Sequence, residues 1–167
     1  EKLLNTNGII TLSDKQHVNM KQLSDYFNIF VGMVTGKESV FKNEEYGNIN
    51  ILTNTNTTNK YILINKFPTE NDSLNEYLLS NKTNLISRKI RKFTEKNWYE
   101  WGALRNYKTV TQHLGKDCIY VNNMSRSKEI CFKDKVKYFS GNLIIMIPKQ
   151  TINLDNVVAF INSDKFK

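Results

Sequence analysis

Leu85–Arg105, reading LISRKIRKFTEKNWYEWGALR, stands between two strand-patterned portions of the chain, and its own pattern is helical at the start. Leu85, Ile86, Ile90 and Phe93 fall on or near one helical face, and the cations Arg88, Lys89, Arg91 and Lys92 fall on the other. Asn71 or Ser73 caps an earlier turn of the same region, where Leu74, Tyr77 and Leu78 keep helical spacing. A helical segment near residues 72–93 is therefore expected.

Outward from this segment the periods shorten. Before Phe67-Pro68 the runs Gly8–Leu12, Ile29–Val34, Val40–Phe41, Ile49–Leu52 and Tyr61–Ile64 read as strands. A mixed pattern over Val18–Phe27 fits a short helix. Thr35-Gly36-Lys37 is a glycine turn, and Asn54, Asn56 and Asn59 mark TNTNTTN as a polar loop or hairpin tip. After Arg105, strands are expected at Cys118–Val121, Glu129–Phe132, Lys137–Phe139 and Leu143–Ile147. The last is apolar throughout and so belongs inside a sheet. Asn153 caps a closing helix, Leu154–Ile161. The sum is an α+β fold with one or two small, twisted antiparallel sheets, in a single domain spanning 1–167.

Composition narrows the function. The 167 residues carry 24 Lys+Arg against 16 Asp+Glu, a formal charge of +8, and that balance favours an acidic partner. No run approaches the roughly 18 apolar residues of a membrane span, and no signal-peptide pattern opens the chain. A soluble, cytoplasmic protein without a membrane partner is expected. The chain opens at Glu1 rather than Met and reads as a piece of a longer protein. Cys118 and Cys131 have neither zinc-site spacing nor the numbers for a disulfide framework, so they read as reduced packing residues.

Several enzyme signatures are missing. Pro68 and Pro148 are the only prolines, so no Pro-Pro core of an amino-methyltransferase exists here. The seven glycines form no G-x-G-x-x-G and no P-loop. No lysine follows Asp or Glu at the carboxylate-x-lysine spacing of nucleases, and His17 and His113 lack zinc-hydrolase contexts. No catalytic residue and no metal ligand is assigned. The chain reads as a binder.

The positive signals are basic and aromatic. Lys37, Arg88, Lys89, Arg91 and Lys92 are candidate DNA phosphate contacts, because cations that neutralise phosphates release counterions. Arg105 and Asn106 suit purine edges, Arg for guanine and Asn for adenine, and Arg126 is a loop cation between two strands. Arg105 has a structural alternative, as the partner of Glu100 or as the cap of a carbonyl. Trp98, Tyr99 and Trp101 are either stacking platforms or core, and at least one tryptophan is expected to anchor the core. Gly32 and the Thr35-Gly36-Lys37 turn offer close backbone approach, for a phosphate or for an ordinary turn. Lys133, Lys135 and Lys137 read as a solvated strand face.

At these residues the chain resembles the target recognition domains of bacterial restriction-modification adenine-N6 DNA methyltransferases, of the TaqI-like C-terminal specificity type. The resemblance is carried by LSDYFNIFVGMVTGKESVF (Leu23–Phe41), LISRKIRKFTEKNWYEWGALRN (Leu85–Asn106), CIYVNNMSR and YFSGNLIIMIPK (within Cys118–Lys149), and the closing INLDNVVAFINSDKF. It implies a type II parent enzyme in which a separate catalytic domain binds S-adenosylmethionine, while this part reads double-stranded DNA and holds no cofactor. The resemblance implies a grip on the duplex shared with that catalytic domain, since the target adenine must leave the stack to react. A second reading, from a different class, makes the chain a specificity-subunit fragment that docks a modification or restriction subunit through an apolar stripe on residues 71–93.

Overall fold

The structure, a computed structural model, describes residues 2–6, 9–13, 21–123 and 129–166, with the backbone alone for the first two ranges. Along the chain run β1 (Lys2–Thr6), β2 (Ile9–Ser13), α1 (Leu23–Tyr26), β3 (Phe27–Val31), α2 (Glu38–Phe41), β4 (Ile49–Asn54) and β5 (Thr57–Tyr61). There follow α3 (Asp72–Ser80), α4 (Lys82–Ile86), α5 (Tyr107–Thr111), β6 (Asp117–Asn122), β7 (Cys131–Lys135), β8 (Leu143–Pro148) and α6 (Leu154–Ile161). The strands pair antiparallel as a four-stranded sheet, β3-β8-β6-β7, and two hairpins, β1-β2 and β4-β5. The fold is α+β, with three separate sheets where one or two were expected.

β8 holds the sheet together because its sequence, LIIMIP, has no polar face. Alternation sends Leu143, Ile145 and Ile147 into one cluster with Val110, Tyr120 and Phe139, and Met146 into another with Phe27, Ile119 and Leu154 and Ile161 of α6. A third cluster gathers Met33, Phe41, Ile51, Tyr61, Leu74, Leu78, Leu85, Trp98 and Trp101. It is built largely from helices α2–α4 and from loops, and it supports the candidate site.

α3 forms as its sequence dictates. The Asn71 side chain accepts from the Leu74 N–H at 3.0 Å, and Leu74 and Leu78, four apart, are buried. α4 stops at Ile86, so the helical segment spans 72–86 instead of running to 93. The reason is Arg88. Its side chain turns inward, and residues 87–105 wrap around it as turns.

Other expectations shift for equally local reasons. Val40 and Phe41 lie on the single helical turn α2, with both side chains in the core. The strand expected at Tyr61–Ile64 begins earlier, because the Asn/Thr stretch itself forms β5, reversing through Asn56 at φ 56°. Lys137–Phe139 is no strand. The backbone there instead brackets Leu52, whose N–H donates to the Tyr138 carbonyl at 2.8 Å and whose carbonyl accepts from Ser140 at 3.0 Å. The helix expected over Val18–Phe27 lies partly outside the described residues; within them one turn, α1, leads straight into β3. No helix among the described residues is long and apolar enough to cross a membrane.

Candidate nucleic-acid interface

The segment that carries most of the candidate DNA-contacting cations is organised from beneath by Arg88, which is only 7% exposed. Its Nε donates to the Leu85 carbonyl (2.7 Å), Nη1 to the Thr35 carbonyl (2.7 Å) and Nη2 to the Trp98 carbonyl (2.5 Å). The guanidinium also lies 3.7 Å from the centre of the Phe93 ring and 5.3 Å from that of Phe41. Three of its five N–H donors are spent on backbone carbonyls, and a guanidinium buried beneath two rings does not reach a phosphate outside. The expectation that Arg88 contacts DNA is corrected: it ties three chain segments together from inside.

For the aromatic residues the structure takes the core alternative. Trp101 is buried and its Nε1 donates to the Ile62 carbonyl at 2.7 Å; Trp98 is buried edge-on against Phe67, with centroids 4.8 Å apart. Tyr99 is half-buried and stacks on Phe67. Both tryptophans are core anchors, and neither offers a face to a base. The close approach at Gly32 is likewise internal, because a Cβ there would sit 2.0 Å from the Ser140 carbonyl oxygen. Gly36 adopts φ +77° in its turn, and the Lys37 N–H donates to Thr35 Oγ1 at 3.2 Å.

What faces outward is a set of cations on the turns that Arg88 holds. Lys89, Lys92 and Arg105 are exposed and Lys37 is half-buried, and among the described residues none of the four makes an ion pair. Arg91 differs. Its Nη2 pairs with Glu100 at 2.6 Å and donates to the Trp101 carbonyl at 3.0 Å, so Glu100 takes Arg91 as partner and leaves Arg105 unpaired. The lysines of the β7 region are neutralised in place, Lys133 by Asp155, Lys135 by Asp117 and Lys137 by Asp134. The basic charge is therefore uneven. Among the described residues it is compensated along β7 and without an ion pair at residues 37, 89, 92 and 105, as it also is at Lys42, Lys60, Lys66, Lys96, Lys108 and Lys116.

Beside these cations runs a groove that the sequence did not mark. One part, about 390 Å³, is lined by Leu63, Asn65, Arg91, Glu100 and Leu104 among others; the next, about 360 Å³, by Asn48, Asn65, Leu104, Tyr107 and Tyr138. Asn48 is committed, bonding the Leu63 backbone through both ends of its amide at 2.8 Å. Tyr107 and Tyr138 stack with centroids 5.1 Å apart and planes 13° from parallel. Asn106 starts α5 in the left-handed region, φ 56°, and its Nδ2 donates to the Val31 carbonyl at 3.1 Å. That leaves its carbonyl oxygen and one N–H for other partners. Arg126 lies outside the described residues.

Groups associated with catalysis are few here. Among the described residues no cluster of His, Cys, Asp and Glu is arranged to hold a metal ion. His113 bonds the Thr109 carbonyl at its own helix end, 2.8 Å away. Cys118 and Cys131 are buried and unpaired, and burial pushes the Cys118 thiol up to about 12 and raises that of Cys131.

No known family model matches the chain. It is similar to the Type II methyltransferase M.MjaIV of Methanocaldococcus jannaschii, at 29% identity across 65% of this chain. The match spans only 39% of that protein's length. The chain is thus related to part of a type II methyltransferase.

Proposed function

We propose that this chain is the double-stranded DNA recognition part of a type II adenine-N6 DNA methyltransferase, and that methyl transfer belongs to another part of the same parent protein. The observation that carries the reading is the outward set of unpaired cations, Lys37, Lys89, Lys92 and Arg105, around turns tied together by Arg88, in a chain similar to part of a type II methyltransferase. Lys37, Lys89 and Lys92 take phosphates and set the register; Arg105 and Asn106 take base edges. Arg91, half-spent on Glu100, contributes a weaker phosphate contact at the groove rim.

We assign S-adenosylmethionine to another part of the parent protein and not to this chain, as the resemblance implies. The parent's catalytic domain would hold it and grip the duplex from the other side while the adenine is everted. The test is retention of random duplexes at low and physiological salt, followed by sequencing. A short motif that survives added salt supports the reading; uniform binding that collapses with salt overturns sequence recognition.

The docking reading keeps some observations in its favour. Along 71–93 Leu74, Leu78, Leu85 and Phe93 are buried, while Leu79 and Ile90 are exposed. Exposed apolar surface lies also at Leu23, Ile29, Val31 and Phe160, with Leu23 and Phe160 lining a groove between α1 and α6. Self-association of the isolated chain, abolished by Phe160→Ser, would move weight to docking.

A further inference from the structure

We infer that the β4–β5 hairpin is the element that enters the major groove of the bound duplex, and that Asn54 and Asn56 at its tip read base edges there. The inference rests on the DNA-binding reading above and adds the element and residues that do the reading.

The first ground is shape. A base edge lies at the floor of a groove, so an element that reads several of them must protrude; the concave groove beside Tyr107 leaves only single side chains such as Arg105 and Asn106 to reach one. The hairpin can. Its root is clamped on both faces, since Ile51 enters the cluster of Trp101 and Tyr61 while its neighbour Leu52 enters that of Phe139 and Leu143. Leu52 is further pinned by backbone hydrogen bonds to Tyr138 and Ser140, and the Tyr61 hydroxyl donates to Glu38 at 3.0 Å. Past Leu52 burial ends, and Asn54, Thr55, Asn56, Thr57 and Thr58 are all exposed. Two strand residues and the turn at about 3.4 Å per residue stand about 10 Å clear of that root. The major groove is about 8.5 Å deep and about 12 Å wide, and it accepts a two-stranded ribbon.

The second ground is chemistry. The tip is made of amides and hydroxyls, the side chains that bond adenine N6 and N7 or meet a thymine methyl. Asn54 spends only its carbonyl oxygen, accepting from the Thr55 N–H at 2.8 Å, so its amide N–H groups stay free. Asn56 makes no side-chain hydrogen bond among the described residues, and it holds the left-handed turn at φ 56°. Lower down, Asn59 Nδ2 donates to Thr53 Oγ1 at 2.8 Å and Thr53 Oγ1 to the Thr57 carbonyl at 3.2 Å, which stiffens the ribbon before any ligand arrives.

The third ground is charge. From Tyr46 to Thr69 the sequence has no Asp or Glu, and its only charged residues are Lys60 and Lys66. Nothing on the ribbon repels the phosphates that line the groove. At its base the hairpin adjoins Tyr138, which stacks on Tyr107 of the helix that begins just after Arg105 and Asn106.

The experiment compares the protein with its Asn54→Ala/Asn56→Gly variant in selection from random duplexes, glycine being chosen because it keeps the left-handed turn. The expected result is unchanged salt-dependent binding to bulk DNA with the ratio of selected to scrambled affinity lowered about tenfold or more. In a second arm the unaltered protein meets its selected motif with 7-deazaadenine in place of adenine, which removes the N7 acceptor from the major groove. Loss of preference by a similar factor is expected. A variant that selects the same motif at the same ratio, a uniform loss of affinity for all sequences, or indifference to 7-deazaadenine would each overturn the hairpin assignment alone. Failure of the unaltered protein to retain any motif would overturn the DNA-reading proposal, and this inference with it.

Discussion

Arg88 shows how a cation is accommodated in a core without a carboxylate beside it. Burial first, and the neighbouring Arg91 second, lower its pKa to about 10, which still leaves it charged at neutral pH. Three carbonyls and two phenylalanine rings replace its water. Arg88→Ala strands those carbonyls and should cost about 3 kcal/mol or more in chemical denaturation, with Arg88→Lys losing less because an ammonium recovers part of the bonding. The outward cations should behave differently. Lys89→Ala should leave stability alone, weaken all DNA sequences alike and lower the salt slope by about 1, whereas Arg105→Ala should lose discrimination between cognate and scrambled duplexes. Equal loss on both duplexes would remove Arg105 from the readers. Cys118, with its thiol pushed up by burial, should react with a thiol reagent only when the protein unfolds, on the denaturant midpoint read by fluorescence.

Elements divide by how local their causes are. α3 and α6 were legible because each carries its own start signal, Asn71 and Asn153, whose side chains accept N–H groups at 3.0 and 3.1 Å. Either Asn→Ala change should cost about 1 kcal/mol, measurable by thermal melting. β8 was legible from its unbroken apolar run. The stretch after Ile86 was not, because what ends the helix is a carbonyl at Thr35, far away in sequence. Tertiary bonding there overrides a good helical pattern. The hairpin was read only as a polar tip, since nothing in TNTNTTN says that Ile51 and Leu52 are gripped from opposite sides. Gly32→Val should melt this arrangement, as its side chain would collide with the Ser140 backbone that runs beside β3.

For the whole molecule the formal charge of +8 understates how the charge is arranged. Lys133, Lys135 and Lys137 are cancelled by Asp155, Asp117 and Asp134, so alanine at all three should leave DNA affinity unchanged, while alanine at Lys89 and Lys92 together should lower it steeply at low salt. Filter binding at two salt concentrations separates the cases. By itself the sequence determined the α+β class, the central strand, the capped helices and the basic character, because each depends on composition or on neighbours within a few residues. Only the tertiary structure decided which cations face out, because Arg88, Lys89, Arg91 and Lys92 are alike in sequence and differ solely in what lies within hydrogen-bond reach. It also decided that both tryptophans are buried and that the Asn/Thr ribbon is rooted between two cores. Those outcomes depend on contacts between distant segments, whose geometry no local pattern encodes.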